Sequence, residues 1–455
     1  MSNNSRQVHL AAHFPGVNNT TIWSSPDAKS HIEFSSFEHL ARTAERGLFD
    51  FFFLAEGLRL REHKGEIFDL DVVGRPNTLS VLAALAGVTK HLGLAGTLSS
   101  TYNEPFELAR ALSTLDHVSQ GRAAWNVVTS NDAFTGENFR RGGYLEYADR
   151  YNRAVDFIQT ARELWDAQPQ EVVEHASKFF DISTTFPNGN LPQGHPVVLQ
   201  AGDSDAGREF AAGSADVIFT RHTELEDGKA FYKDVKSRLS RYGRGEDDLK
   251  IFPGVTVVIG SSEADAQERA RETHRQQVSG PGAIAFLEQV WGRALTSYDP
   301  DGPLPDIEPN VDDISVTRGK VRHFKDPQAI AGLWRQRAEA ENLSIRELVI
   351  AVSTRTSFVG TPGQVADQLN EFVQQRAADG FILVPSITPS GLDDVVDLVV
   401  PELQDRGVYR DSYPGTTLRE NLGLPAHRPA TEWQEFRNAN TDANSTDSQK
   451  VGQNS

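Results

Sequence analysis

Ala124-Trp125-Asn126-Val127-Val128-Thr129-Ser130 is an apolar run that holds one amide side chain, Asn126, and ends on two hydroxyls. Its hydrophobicity is continuous rather than alternating, as a strand buried on both faces of a parallel sheet requires. Besides this strand, at 122–128, similar runs occur at 7–13, 49–55, 92–98, 196–201, 216–220, 250–259 and 380–385. Segments with helical periodicity lie between and after them, at 77–90, 104–118, 147–165, 207–213, 225–242, 264–277, 327–341 and 392–404. Strands and helices in this alternation predict an α/β chain folded as a (β/α)8 TIM barrel.

Two helix starts carry capping signals: Ser35-Ser36-Phe37-Glu38 and Thr361-Pro362-Gly363-Gln364, the second with proline at the first helical position. Helices are therefore expected from about 36 and 362. Three stretches break the rhythm, 57–75, 166–195 and 280–360, placing insertions after strands 2, 4 and 7. In a barrel such segments flank the catalytic end and serve as substrate cover. The chain reads as a single barrel over 1–424 with an extension, 425–455, whose polar composition predicts disorder over most of it.

Composition removes several classes. A formal net charge of −18 disfavours phosphate-driven nucleic-acid binding. The chain has no cysteine, hence no disulfide, thiolate nucleophile, iron–sulfur cluster or cysteine zinc site. No apolar run reaches the length of a membrane span and no signal peptide is evident, so a cytoplasmic protein is expected. No Gly-x-Gly-x-x-Gly fingerprint, Walker lysine loop, Gly-x-Ser-x-Gly elbow or His-Glu-x-x-His run is present. The expectation is an enzyme without a bound metal or a dinucleotide site of its own.

Strand ends at the catalytic side present His13, Glu56, Thr97, Asn126 to Ser130, Gly202 to Asp205, and Arg221 with His222. Leu199-Gln200-Ala201-Gly202-Asp203-Ser204-Asp205-Ala206-Gly207 delivers a Gly–Ser loop from a buried strand onto a helix start. Free amides and the helix dipole there suit a phosphate. The alternative is that Ser204 or Asp205 merely caps the helix.

These residues also carry a family resemblance. Ala124 to Ser130, with Thr101-Tyr102-Asn103-Glu104-Pro105, Leu115-Asp116-His117, Gln200-Ala201-Gly202 and Val400-Pro401-Glu402-Leu403-Gln404, resembles the bacterial luciferase-like flavin monooxygenase superfamily. Within it the match is to the group of nitrilotriacetate monooxygenase component A, dibenzothiophene sulfone monooxygenase and long-chain alkane monooxygenase. The resemblance implies a two-component enzyme: FMN arrives reduced (FMNH2) from a separate NAD(P)H:flavin reductase, and O2 is the co-substrate. A flavin-peroxide intermediate then oxygenates a small organic substrate, in a homodimer or homotetramer. By motif, FMN would be held by Glu56, Thr97, Ser130, Asn131, Tyr147, Tyr151 and the loop Asp203, Ser204, Asp205 and Ala206. His13, Asn126, Tyr147 and Arg221 would line the substrate side as catalytic candidates. Two departures stand out: Glu56 replaces the family's usual aspartate, and Tyr147 a usual histidine, exchanging a group that titrates near neutrality for a neutral donor. A deazaflavin-dependent oxidoreductase on the same fold and a non-catalytic flavin-binding protein are the alternatives.

Overall fold

The computed structural model describes residues 5–15, 21–60, 62–63, 66–67, 76–130, 133–139, 147–310, 317–318, 326–354 and 358–433. Eight parallel strands close on themselves: β1 His9–Phe14, β2 Phe51–Leu54, β3 Gly93–Ser99, β4 Ala123–Val128, β5 Val197–Gln200, β6 Val217–Thr220, β7 Lys250–Val255 and β8 Gly380–Leu383. Each strand pairs with its neighbours in sequence, and β1 pairs with both β2 and β8. The expected barrel is therefore the observed one. Around it run α1 Phe34–Arg46, α2 Thr78–Ala86, α3 Pro105–Ser119, α4 Tyr147–Asp166, α5 Asp205–Ser214, α6 Leu225–Arg238, α7 Pro362–Gln374 and α8 Val400–Asp405.

Alternate residues face inward along each strand. Ala11, Phe51, Phe53, Ala95, Ala124, Val197, Leu199, Val217, Phe252 and Ile382 form one cluster inside the barrel. Residues of the other parity pack outward on helices: fully buried Trp125 lies 5.5 Å from the ring of Phe157 on α4, and its Nε1 donates to Leu98 O at 3.0 Å. Leu418, Leu422 and Leu424 join the interior cluster and close the end where the strands begin. Leu418 N donates to Gly121 O at 2.9 Å, and Arg419 pairs with Asp216 at 3.1 Å.

Boundaries differ from expectation in four places. The run 250–259 splits: Val257–Ile259 leaves the barrel and pairs in parallel with Phe358–Gly360. Helix α1 starts at Phe34 without the expected box, because the Ser30 hydroxyl accepts from Ile32 N and Glu33 N at 3.2 and 3.1 Å and turns the chain earlier. Helix α5 begins at Asp205, two residues before 207. The run 392–404 holds a wide π turn, Val395–Val399, before α8, where Pro401 has no amide to donate. The box at Thr361 and Gln364 does form.

The insertions have their own order. Within 166–195, Val172–Ala176 and Asp181–Thr185 make an antiparallel hairpin. Within 280–360, the helices Gly280–Trp291, Pro327–Glu341 and Ile345–Ser353 share a core around Leu287, Trp291, Ile345 and Val349. Thr317–Arg318 pairs with Glu62–His63, which pairs with Glu66–Ile67, so the first and third insertions share a sheet. Residues 425–430 pack against the barrel, with Arg428 on Asp248 at 2.8 Å; 434–455 lie outside the described residues. Among the described residues no helix is long and apolar enough to cross a membrane.

Candidate active site

Inward parity places His13, Thr97 and Asn126 above the apolar interior, at the strands' C-terminal side. All three are buried. Asn126 sits opposite Thr97 in register, and its Nδ2 donates to Thr97 Oγ1 at 2.8 Å. The His13 ring lies 5.4 Å from that of Phe53. Burial lowers the His13 pKa to about 4, so its imidazole is neutral at physiological pH. His13 Nδ1 and Asn126 Oδ1 have no hydrogen-bond partner among the described residues. A buried polar atom left unpaired costs roughly 1–3 kcal/mol. Two such atoms at a barrel mouth are what a polar ligand would satisfy.

A hydroxyl cluster sits beside them. Ser99 and Ser130 share a hydrogen bond at 2.8 Å, Thr101 N donates to Ser99 Oγ at 3.1 Å, and Asn103 Nδ2 donates to Ser99 O at 2.8 Å. Arg153 of α4 donates to the carbonyls of Ser100 and Asn103 and stacks 4.6 Å over Phe180 of the hairpin. Sequence reasoning singled out Ser130 but not its neighbours Ser99 and Arg153, whose available signals were a serine inside an apolar strand and an arginine on a helix facing the mouth. Tyr151 is half-buried, edge-on to Phe210 at 5.9 Å. Tyr147 opens α4, but its side chain, like Asn131 as a whole, lies outside the described residues.

The loop after β5 is exposed from Asp203 to Ala206. Ser204 is the N-cap of α5, its Oγ accepting from Gly207 N at 3.1 Å, so the capping reading is realised. The cap leaves the earlier amides of the turn for another acceptor. A methyl at Gly202 would meet Gln200 Nε2 at 2.5 Å and Gly207 Cα at 2.7 Å, so only glycine closes this loop. Its two acids pair with arginines, Asp203 with Arg208 at 3.0 Å and Asp205 with Arg238 at 2.7 Å, and His222 Nε2 lies 2.9 Å from Asp203 Oδ1. The helix start thus stays suited to an anion despite both carboxylates. Arg221 is exposed and lies between Thr220, at the end of β6, and His222.

Glu56 follows β2 and opens onto a cavity of about 490 Å³ bounded also by Leu58, Arg59, Glu62, Asn77 and Asn138. Burial pushes its carboxyl up to about 7. Arg59 bridges Glu62 and Glu137 at 3.3 and 2.5 Å, and Asn138 Nδ2 donates to Leu58 O at 2.8 Å. None of these wall residues was legible in the sequence, because their meeting depends on the insertion's path.

Closed parallel barrels carry their chemistry at this end, where the polar layer, hydroxyl cluster and helix-start loop gather, which makes it the candidate active site of a barrel enzyme. The family model for luciferase-like monooxygenase matches residues 16–379, and the chain belongs to that family. It is 38% identical over 434 residues to nitrilotriacetate monooxygenase component A of Aminobacter aminovorans, covering 88% of this chain and 93% of that protein. It is 36% identical to N-acetyl-S-(2-succino)cysteine monooxygenase of Bacillus subtilis, covering 94% and 100%. The crystal structure of riboflavin lyase with modified FMN and riboflavin superposes with a TM-score of 0.76 at 27% identity, covering 94% and 99%. The protein is an oxidoreductase of the monooxygenase kind.

Proposed function

We propose that the protein is the oxygenase component of a two-component system, using FMNH2 from a separate NAD(P)H:flavin reductase and O2 to oxygenate a small organic substrate. The observation that carries the reading is the buried, unpaired pair His13 Nδ1 and Asn126 Oδ1 in the upper barrel layer, in a chain of this family. The residues fit the cofactor: the amides at the start of α5 and the Ser204 hydroxyl suit its phosphate, and Thr97, Asn126 and Ser130 offer donors and acceptors to its ring. Asn131, Tyr147 and Tyr151 complete the set by resemblance. When bound, reduced FMN supplies the two electrons that divide O2 between product and water.

The chain's own share is positioning and proton control. Asn126 is oriented by Thr97, leaving its carbonyl oxygen to receive one donor. Neutral His13 offers an acceptor or donor nitrogen without a buried charge. Glu56, poised near neutrality, holds or releases a proton at the cavity edge. Tyr147 and Arg221 stay as substrate-side candidates; a homodimer or homotetramer is the proposed assembly.

The test couples purified protein to a flavin reductase, FMN and NADH under ¹⁸O2, with a panel of aminopolycarboxylates, sulfones and alkanes. Product carrying one labelled oxygen, formed only with protein and reductase together, is expected. Product formed with reduced deazaflavin but not FMNH2 would replace the reading with the deazaflavin one. FMNH2 oxidation no faster than without protein, and no product, would leave a flavin carrier.

A further inference from the structure

Asp166 ends α4, His195 lies two residues before β5, and His427 belongs to the segment that packs beneath the barrel. They meet at the end where the strands begin, opposite the mouth. We propose that Asp166, His195 and His427 form a binding site for one late first-row divalent cation, Zn²⁺ or a close relative, that pins the C-terminal segment to the barrel.

The geometry is convergent. His195 Nε2 lies 2.7 Å and His427 Nε2 3.8 Å from Asp166 Oδ1, and all three donor atoms are within 4.8 Å of one another. The imidazoles are tilted by 52° with centroids 4.6 Å apart, so they do not stack face to face. A zinc ion with bonds of about 2.0–2.2 Å needs donors a little over 3 Å apart, within reach of small side-chain rotations. Asp166 Oδ2 accepts from Ala430 N at 2.5 Å, and Oδ1 is hydrogen-bonded to His195 Nε2 at 2.7 Å, a contact that a bound ion would replace. Gly194 sets the other side: a methyl there would fall 1.9 Å from His427 Nδ1, so only glycine lets the ring press in with Nε2 toward Asp166.

A small cavity of about 20 Å³ borders His195 and His427; Asp166 is not among its walls, which also carry Arg162, Arg244, Arg419 and Arg428. Two imidazoles and one carboxylate match Zn²⁺, Co²⁺ or Ni²⁺ and not Ca²⁺ or Mg²⁺, which take oxygen ligands. The four arginines oppose a cation, but each has an acceptor of its own: Arg419 faces Asp216 at 3.1 Å, Arg428 faces Asp248 at 2.8 Å, Arg162 donates to Ser214 O at 2.8 Å and Arg244 to Ala212 O at 2.8 Å. Their field makes the site weaker than a structural zinc finger and its ion exchangeable. The ligands are 29 and 232 residues apart along the chain (195 − 166 and 427 − 195), which is why no metal motif marks them.

The full-length protein, stripped with chelator and dialysed, is titrated with Co²⁺ alone and then with Zn²⁺. Expected are saturable d–d absorption at one equivalent, its displacement by Zn²⁺, and a Zn²⁺-dependent rise in Tm. His427→Ala, at a partly exposed position, and Asp166→Asn both lose these signals while keeping the far-UV spectrum of the wild type. A wild type that takes up no Co²⁺ overturns the proposal without reference to any variant, as does uptake of equal affinity by either folded variant.

Discussion

Asn126 joins two demands: its amide nitrogen is spent on Thr97, and its oxygen points unpaired into the mouth. Asn126→Ala removes the acceptor and frees Thr97. We expect FMN-dependent oxygenation to fall by about 100-fold while Tm changes little, the scale seen when one oriented polar group is deleted from a site; activity within twofold of wild type would remove the residue from the site. Glu56 is a second single-residue lever. Its folded pKa, about 7, lies above the ordinary 4.5, so the unfolded chain ionises first. Stability is complete below the ordinary value and is lost as pH rises through the folded one. Glu56→Gln removes that loss, so urea unfolding of ligand-free protein at about pH 5 and pH 8 should show the variant gaining on the wild type, by at most about 3 kcal/mol. Equal pH dependence of both proteins refutes the assignment. Sequence named Glu56 because it follows a buried strand run and Asn126 because it is the one polar side chain inside another, near its C-terminal end. It did not reveal that Asn126 is half satisfied or that Glu56 is desolvated, since both depend on neighbours from other strands and from the first insertion.

The β5–α5 connection shows what an element adds. Residues 199–207 offer two roles for Ser204, cap or phosphate ligand, and the structure assigns the cap, in a loop whose residues Asp203 to Ala206 are exposed. What the linear text hid is the set of partners that Asp203 and Asp205 meet: Arg208, His222 and Arg238 arrive from α5, the β6 end and α6. Arg238→Ala should leave Asp205 unpaired beside the proposed phosphate position and weaken FMN binding by about threefold, the worth of an exposed ion pair. The effect should be larger in dilute buffer than at high salt, as followed by flavin fluorescence quenching. An unchanged Kd at both ionic strengths would place the phosphate elsewhere. Strand runs were legible because burial on both faces writes itself as continuous hydrophobicity. Helix boundaries were less so: Ser30 turns the chain into α1 before the Ser35–Glu38 box can form, and the π turn Val395–Val399 ahead of Pro401 breaks the run 392–404.

At the scale of the molecule, the barrel is closed from below by a segment distant in sequence. Leu418 is fully buried against the interior, its methyls 2.6 and 2.8 Å from where a Cβ on Gly93 would stand. Leu418→Ala should cost about 2–5 kcal/mol in denaturant unfolding; a loss under 1 kcal/mol would mean the plug is not part of the core. Nothing in residues 410–424 advertises this role, since a short apolar stretch after the last strand reads equally as a surface turn. Above the barrel, the pairing of Thr317–Arg318 with Glu62–His63 joins two insertions more than 250 residues apart. For anyone grafting specificity between relatives, this makes the two loops one inheritable unit: a chimera that exchanges only one leaves the other without its partner strand, and both must travel together.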